Sequence, residues 1–261
     1  VATKLKVLFF DIETAPLLAY VWQAKTEYVS HDAMVNDSFM LSWAAKWQGS
    51  KAVEADFLTP EEVAAQDDHR IVTSLADMIR AADIVVAHNG DGFDIPMLNN
   101  RLLALGEEPV QPVKTIDTCK LAKKSFRLAY NKLDYLGEYL GLGKKLQTDF
   151  NLWKKIYVGD QRKYKDGLSP MAYMVKYNRK DVVLLEAVYD KLVPYVKGLP
   201  RLVEPDFNGE HVCPTCGHDH LIKRGLAYSN ASTWQTWQCM ECLRYSKTPA
   251  ANKARLALRP L

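Results

Sequence analysis

Up to residue 200, short apolar runs alternate with helical stripes. The run from Leu5 to Phe10 predicts a strand buried on both faces. Phe39, Leu41, Trp43, Ala45 and Trp47 occupy alternate positions, the period of a half-exposed strand. The turn residues Gln48-Gly49-Ser50-Lys51 then lead into Ala52 to Leu58 as an antiparallel partner. Thr59-Pro60-Glu61-Glu62 opens a helix, with Thr59 as N-cap, Pro60 at the first helical position and Glu62 closing a capping box. That pattern breaks near Asp67-Asp68 and resumes to Ala81. Ile84 to Ala87 and Lys114 to Asp117 predict two more short strands, with a helix from Phe93 to Leu105 between them that Gly106 stops.

Beyond Asp117 the pattern is helical to residue 193. Ser169-Pro170 caps the longest helix, which carries Met171, Met174, Val175, Val182, Leu185, Tyr189 and Leu192 as a stripe spaced three and four apart. The order of elements predicts an α/β fold: a mixed sheet flanked by helices. Pro194, Gly198, Pro200 and Pro205 break the next stretch and put a boundary near residues 198 to 208. The expected organisation is one domain over residues 1–200 and a small second module over 208–261.

Composition is that of an ordinary globular protein, 48% hydrophobic and 25% charged. The apolar runs are far shorter than the ~20 residues a membrane span needs, and the N-terminal one meets Asp11 too soon for a signal peptide. The expectation is a soluble protein of a bacterial or phage-infected host cytoplasm, with no membrane partner. Net charge is only +3, but residues 208–261 carry seven basic side chains against three acidic ones. A nearly neutral body with a basic end fits a catalytic unit joined to something that meets polyanions.

Three acidic segments stand out. Asp11 and Glu13 follow the first apolar run, and strand alternation puts both on one face. Two neighbouring carboxylates repel each other unless a cation lies between them. His88-Asn89-Gly90-Asp91-Gly92-Phe93-Asp94 follows the Ile84 strand, with Asp94 in the first turn of the next helix, where a helix N-terminus alone would favour it. Tyr177 and Asp181 lie four apart in the longest helix, one above the other. Asp181 borders the apolar stripe and needs a partner, the trivial candidates being Lys180 and Arg179. Asp117 reads as the cap of the following helix and Cys119 as a small buried residue.

Together, FDIET, HNGxxFDIP and YNxxDVxLL resemble the DEDD superfamily of 3′→5′ exonucleases, which are DnaQ-like enzymes of ribonuclease H fold. The tyrosine four residues before the last Asp is similar to the subclass that includes proofreading domains of family-B DNA polymerases. Lys132-Leu133-Asp134-Tyr135-Leu136-Gly137, continuing to Lys144-Lys145, is similar to the segment between the second and third motifs in such proteins. The resemblance spans roughly residues 5–193. It implies that Asp11, Glu13, Asp94 and Asp181 hold two Mg²⁺ or Mn²⁺ ions and that Tyr177 orients the attacking water. Hard carboxylate oxygens suit those ions. A phenol with a pKa of ~10 suits positioning better than proton abstraction. Thr14, Asn89 and Phe93 fall where such enzymes touch the 3′-terminal nucleotide, although Phe93 reads equally as a core aromatic. His88 reads as a residue behind the site.

Cys213-x-x-Cys216 and Cys239-x-x-Cys242, 22 residues apart, present two thiolate pairs to one structural Zn²⁺, with His211, His218 and His220 as alternative ligands. The segment resembles the zinc ribbons of some transposases and nucleic-acid enzymes. Lys223, Arg224, Arg244 and Lys247 could meet phosphates, and Trp234, Trp237 and Tyr245 could stack bases or fill a small core. The combined expectation is a two-metal 3′→5′ exonuclease acting on 3′ ends of DNA, single-stranded or frayed, and releasing nucleoside 5′-monophosphates. RNA is left open as a substrate, and the ribbon could also dock on a polymerase or recombination protein. The rival readings are a ribonuclease H-fold endonuclease or RNA-processing nuclease, and a catalytically retired nucleic-acid-binding adaptor.

Overall fold

The computed structural model describes residues 4–110, 113–204, 212–229 and 232–250. The linker positions 205–208, His211 and the basic tail residues Lys253, Arg255 and Arg259 lie outside them. The chain divides into two compact units: Lys6–Tyr189, and Asp190–Leu261 joined by Val1–Leu5.

The larger unit contains strands β1 (Val7–Thr14), β2 (Leu18–Ala19), β3 (Met34–Asn36), β4 (Met40–Trp47) and β5 (Glu54–Phe57), followed by helices α1 (Pro60–Ala65) and α2 (His69–Arg80). Strand β6 (Ile84–Ala87), helix α3 (Asp94–Leu105), strand β7 (Lys114–Asp117) and helices α4 (Thr118–Ser125), α5 (Leu133–Tyr139), α6 (Phe150–Tyr157) and α7 (Pro170–Leu192) complete it. Five strands form one mixed sheet in the order β5-β4-β1-β6-β7. β1 is antiparallel to β4 and parallel to β6. Among the described residues, no helix is long and apolar enough to cross a membrane.

Alternation along β1 sorts its two faces. Leu8, Phe10 and Ile12 join a core with Ile71, Leu75 and Ile79 of α2 and Leu98 and Leu102 of α3. Each such side chain, fully buried, contributes roughly 1.5–3 kcal/mol. Phe9 lies on the other face, its ring 5.3 Å from that of Tyr189 on α7. Asp11 and Glu13 share that face.

Several expected elements differ in detail. β1 runs four residues past Phe10, so Asp11 and Glu13 lie inside the strand rather than at its end. β4 is buried on both faces over Met40–Lys46, not half-exposed. The reason is α7, which crosses it. Lys46 pairs with Glu186, and Ser42 Oγ donates to Asn178 Oδ1 at 3.4 Å, so both buried polar groups have partners. The capping box at Thr59 forms as expected. The sequence pattern did not show the excursion after β1, where β2 and β3 pair. Tyr20, Trp22 and Tyr28 on this excursion are exposed.

In the smaller unit, β8 (Leu221–Ser229), β9 (Ser232–Cys239) and β10 (Tyr245–Pro249) form an antiparallel sheet in the order β10-β9-β8. Leu5 N donates to Leu202 O at 3.0 Å, and Lys4 bridges Val203, which ties the first described residues to this unit.

Candidate active site

Carboxylate oxygens of Asp11, Glu13 and Asp181 lie within 4.8 Å of one another. β1 supplies the first two, and α7 brings Asp181 onto the same face. Asp94, the first residue of α3, is buried and accepts a hydrogen bond from Ile12 N at 3.2 Å. Its charge is the strongest of those acting on Asp11, so it borders the trio without belonging to the tight cluster.

Withdrawal from water raises all four acids, and repulsion within the set adds to it at Asp11 and Glu13. Asp11 is pushed well above the usual carboxylate range by burial and then by the charges of Asp94 and Glu13. Burial and the charge of Asp181 push Glu13 up to about 8. Burial pushes Asp94 up to about 7, against the hydrogen bond from Ile12. Asp181 is also raised by burial, with Lys145 opposing the rise. Four hard carboxylates that resist ionising together fit divalent cations, which would supply the charge they lack.

Two residues of this site escaped the sequence reading. Lys145 Nζ lies 2.5 Å from Asp181 Oδ2 and donates to Tyr177 Oη at 3.1 Å. Burial works against its charge, but Asp181 and Asp11 outweigh that and hold it protonated. The partner of Asp181 is therefore Lys145, and not Lys180 or Arg179. Asn178 is fully buried. Its Nδ2 donates to Asp11 Oδ2 at 2.6 Å and to Asp11 O at 3.2 Å, fixing that carboxylate on the strand. Tyr177 is itself buried, and burial with the Asp181 charge raises its phenol, so it stays a proton donor.

The Lys145 loop is held from behind. Lys145 N donates to Asp134 Oδ1 at 3.1 Å. A Cβ on Gly137 would come within 2.8 Å of Gly143 O and 2.9 Å of Leu184 Cδ1, so only glycine lets α5 pack this closely on α7 and the loop.

The loop after β6 frames the other side. A Cβ on Gly90 would lie 2.4 Å from Ala87 Cβ, which a tight turn here forbids. Asn89 adopts a left-handed conformation (φ 66°), and its N–H donates to Asp117 Oδ1 at 3.0 Å. That same oxygen accepts from Cys119 N and Lys120 N, confirming Asp117 as the cap of α4. His88 pairs through Nδ1 with Thr118 Oγ1 and through Nε2 with Asn131 O, both at 2.8 Å. Burial pulls its pKa down to about 4, so it is a neutral bracing group behind the site. Asp91 pairs with Lys120, and Cys119 is buried. Phe93 is 42% exposed, which removes the core-aromatic reading. Thr14 ends β1 beside Glu13, partly buried.

A groove of ≈ 590 Å³ meets the acidic cluster at Lys145, the ion-pair partner of Asp181. Asn89, Tyr130, Asp134 and three cations, Lys123, Lys132 and Lys145, are among its lining residues. Lys145 thus belongs to both the acidic cluster and the groove.

In the smaller unit, sulfur atoms of Cys213, Cys216, Cys239 and Cys242 lie within 4.8 Å of one another. The Cys213–Cys242 and Cys216–Cys239 separations are 3.6 Å, too long for disulfides. Four thiolates bonded to zinc at about 2.3 Å would sit about 3.8 Å apart, so the set fits a Cys₄ zinc ribbon. Lys223 and Arg224, both expected to meet phosphates, point to opposite faces. Lys223 Nζ lies 5.4 Å from the Trp237 ring centre, whereas Arg224 Nε donates to Gln238 Oε1 at 2.9 Å.

The family RNase_H_2, described as RNase_H superfamily, matches residues 8–193. Among solved structures, the chain is similar to the family B DNA polymerase from the hyperthermophilic archaeon Pyrobaculum calidifontis, at 20% identity and a TM-score of 0.52. The similarity covers 73% of this chain and 25% of the polymerase, and at that identity it speaks for the fold. No curated protein matches the chain.

Proposed function

Because the chain belongs to the RNase_H superfamily, we propose that it is a metal-dependent 3′→5′ exonuclease that releases nucleoside 5′-monophosphates from single-stranded or frayed DNA ends. The observation that carries this reading is the meeting of Asp11, Glu13 and Asp181 oxygens within 4.8 Å, with Tyr177 one helical turn before Asp181. The resemblance of all three sequence motifs to proofreading domains of family-B DNA polymerases supports the exonuclease direction.

Asp11, Glu13, Asp94 and Asp181 would hold two Mg²⁺ or Mn²⁺ ions. Such ions, when bound, supply Lewis-acid stabilisation of the entering and leaving oxygens of an in-line phosphodiester displacement. The chain's own residues do the rest. Asn178 orients the Asp11 carboxylate through its short hydrogen bond. Lys145 holds Asp181 and Tyr177 Oη in one arrangement and turns a positive charge toward the scissile phosphate. Tyr177, kept protonated, positions the attacking water by hydrogen bonding. Thr14, Asn89 and Phe93 receive the terminal nucleotide, and Lys123 and Lys132 balance phosphates along the groove. A structural Zn²⁺ on the four cysteines would organise the ribbon.

A digest of 5′-labelled single-stranded, duplex and RNA substrates with Mg²⁺ or Mn²⁺, run on a sequencing gel, tests this. A ladder that shortens one nucleotide at a time from the 3′ end is expected. Internal fragments would favour the endonuclease reading, and uncut substrate the adaptor.

A further inference from the structure

The ribbon's three strands present two faces of different character. On one face, Trp237 is already satisfied: its Nε1 donates to Thr248 Oγ1 at 2.9 Å, and Lys223 covers its ring. Cys239, Leu226 and Tyr228 share that face by register. On the other face lie Arg224, Trp234, Gln238, Tyr245 and Lys247, aligned by the pairs Tyr245↔Gln238 and Lys247↔Thr236. Alternation alone puts Lys223 and Arg224 on opposite faces, and the register shift between Lys223 and Leu226 brings Leu226 and Tyr228 onto the Lys223 face. Lys247 Nζ sits 4.5 Å from the Trp234 ring centre. Trp234 Nε1 is shielded from solvent and meets no acceptor among the described residues. Tyr245 is 55% exposed.

None of the three strands carries a carboxylate. The face therefore offers two cations and the exposed Tyr245 ring, with no strand carboxylate to repel an anion. Phosphates take the cations, and a base takes the Tyr245 ring.

We propose that the Arg224–Trp234–Tyr245–Lys247 face of the ribbon binds single-stranded polynucleotide, holding the strand whose 3′ end the carboxylate site digests. The identity of that strand as substrate rests on the exonuclease reading, while the binding itself does not. The opposite face, with Lys223 and Tyr228, takes no part.

The test uses the full chain carrying Asp181→Ala, so that substrate survives, and fluorescence anisotropy of a long labelled single-stranded oligonucleotide over a salt series. Tyr245→Ala should weaken binding by about tenfold. Arg224→Gln with Lys247→Gln should lower the log–log salt slope by about 1.4, as expected for two lost phosphate contacts on a single strand. Lys223→Gln with Tyr228→Ala, on the other face, should leave both quantities unchanged. Zinc content, measured on each variant by release with a mercurial, keeps an unfolded ribbon from imitating lost contacts. Equal losses from the two faces, unchanged affinity in the Tyr245 and Arg224/Lys247 variants, or binding that needs a protein partner would overturn the proposal. Wild-type digestion is scored separately. Failure to release mononucleotides while face-specific binding persists would sink the exonuclease reading alone.

Discussion

The two candidate metal centres are built on opposite plans. The carboxylates come from β1, α3 and α7, elements that a large apolar core holds whether or not a cation is present. The cysteines come from the end of β9 and two short turns beside a small sheet whose strand β8 is largely exposed. In the first case the fold imposes crowding on charges that would rather separate, and the raised acids record that strain. In the second the metal supplies the cohesion that a small core lacks. A site meant for chemistry is preorganised at a cost in stability, whereas a site meant for structure adds stability.

Four measurements would break or sharpen this contrast. The largest effect should follow Asp181→Ala, which should cut digestion of a 3′-labelled strand by orders of magnitude while the circular dichroism spectrum stays unchanged. Undiminished digestion would dissolve the catalytic half of the comparison. Stripping zinc with a mercurial should come next, unfolding the ribbon and weakening the hold on long strands. Cleavage of short oligonucleotides should persist, and an equal loss on both lengths would count against separate roles. Lys145→Met should then lower turnover roughly a hundredfold, in line with losing one preorganised charge at a reacting phosphate. Measuring kcat and KM separately matters here, since a purely structural lysine would be rescued by no condition and would lower melting temperature in parallel.

The smallest effect concerns pH. Without added metal, Glu13 rises from 4.5 to about 8 and Asp94 from 3.8 to about 7 in the folded chain. The folded state therefore binds protons more tightly than the unfolded one across that interval. Stability is fully present below the unfolded values and declines as pH climbs toward 8. Melting temperature of the metal-free protein should fall between about pH 5 and pH 8, and saturating Mn²⁺ should flatten the decline. A flat metal-free profile would mean the acids are not crowded.

How much of this could be read from sequence follows from the range of each signal. Cys-x-x-Cys, Asp-x-Glu and the Tyr177–Asp181 spacing are local, and each element that carries them has its own period or cap. Lys145 and Asn178 were missed because their meaning is a contact across the chain. Lys145 reaches Asp181, and Asn178 reaches back to Asp11. A signal existed: a helical Asp with no cation three or four residues away on its own face. The burial of β4 was hidden for the same reason. Ser42 and Lys46 read as solvent positions until α7 supplies Asn178 and Glu186 to them. The placing of Leu226 and Tyr228 on the Lys223 face depends on one extra residue in a strand, which no pattern of hydrophobicity marks.

β1 occupies the middle of the five-stranded sheet, bonded to β6 over Val7–Phe9 and to β4 from Leu8 through Glu13. Its amides should be among the slowest in the molecule to exchange with deuterium, since they open only when the whole unit unfolds. Asp11 and Glu13 ride on that strand, so the spacing between them should not breathe on the timescale of turnover. Variation in rate among conditions must then come from what approaches this rigid rail: the Lys145 loop, α7 and the incoming strand.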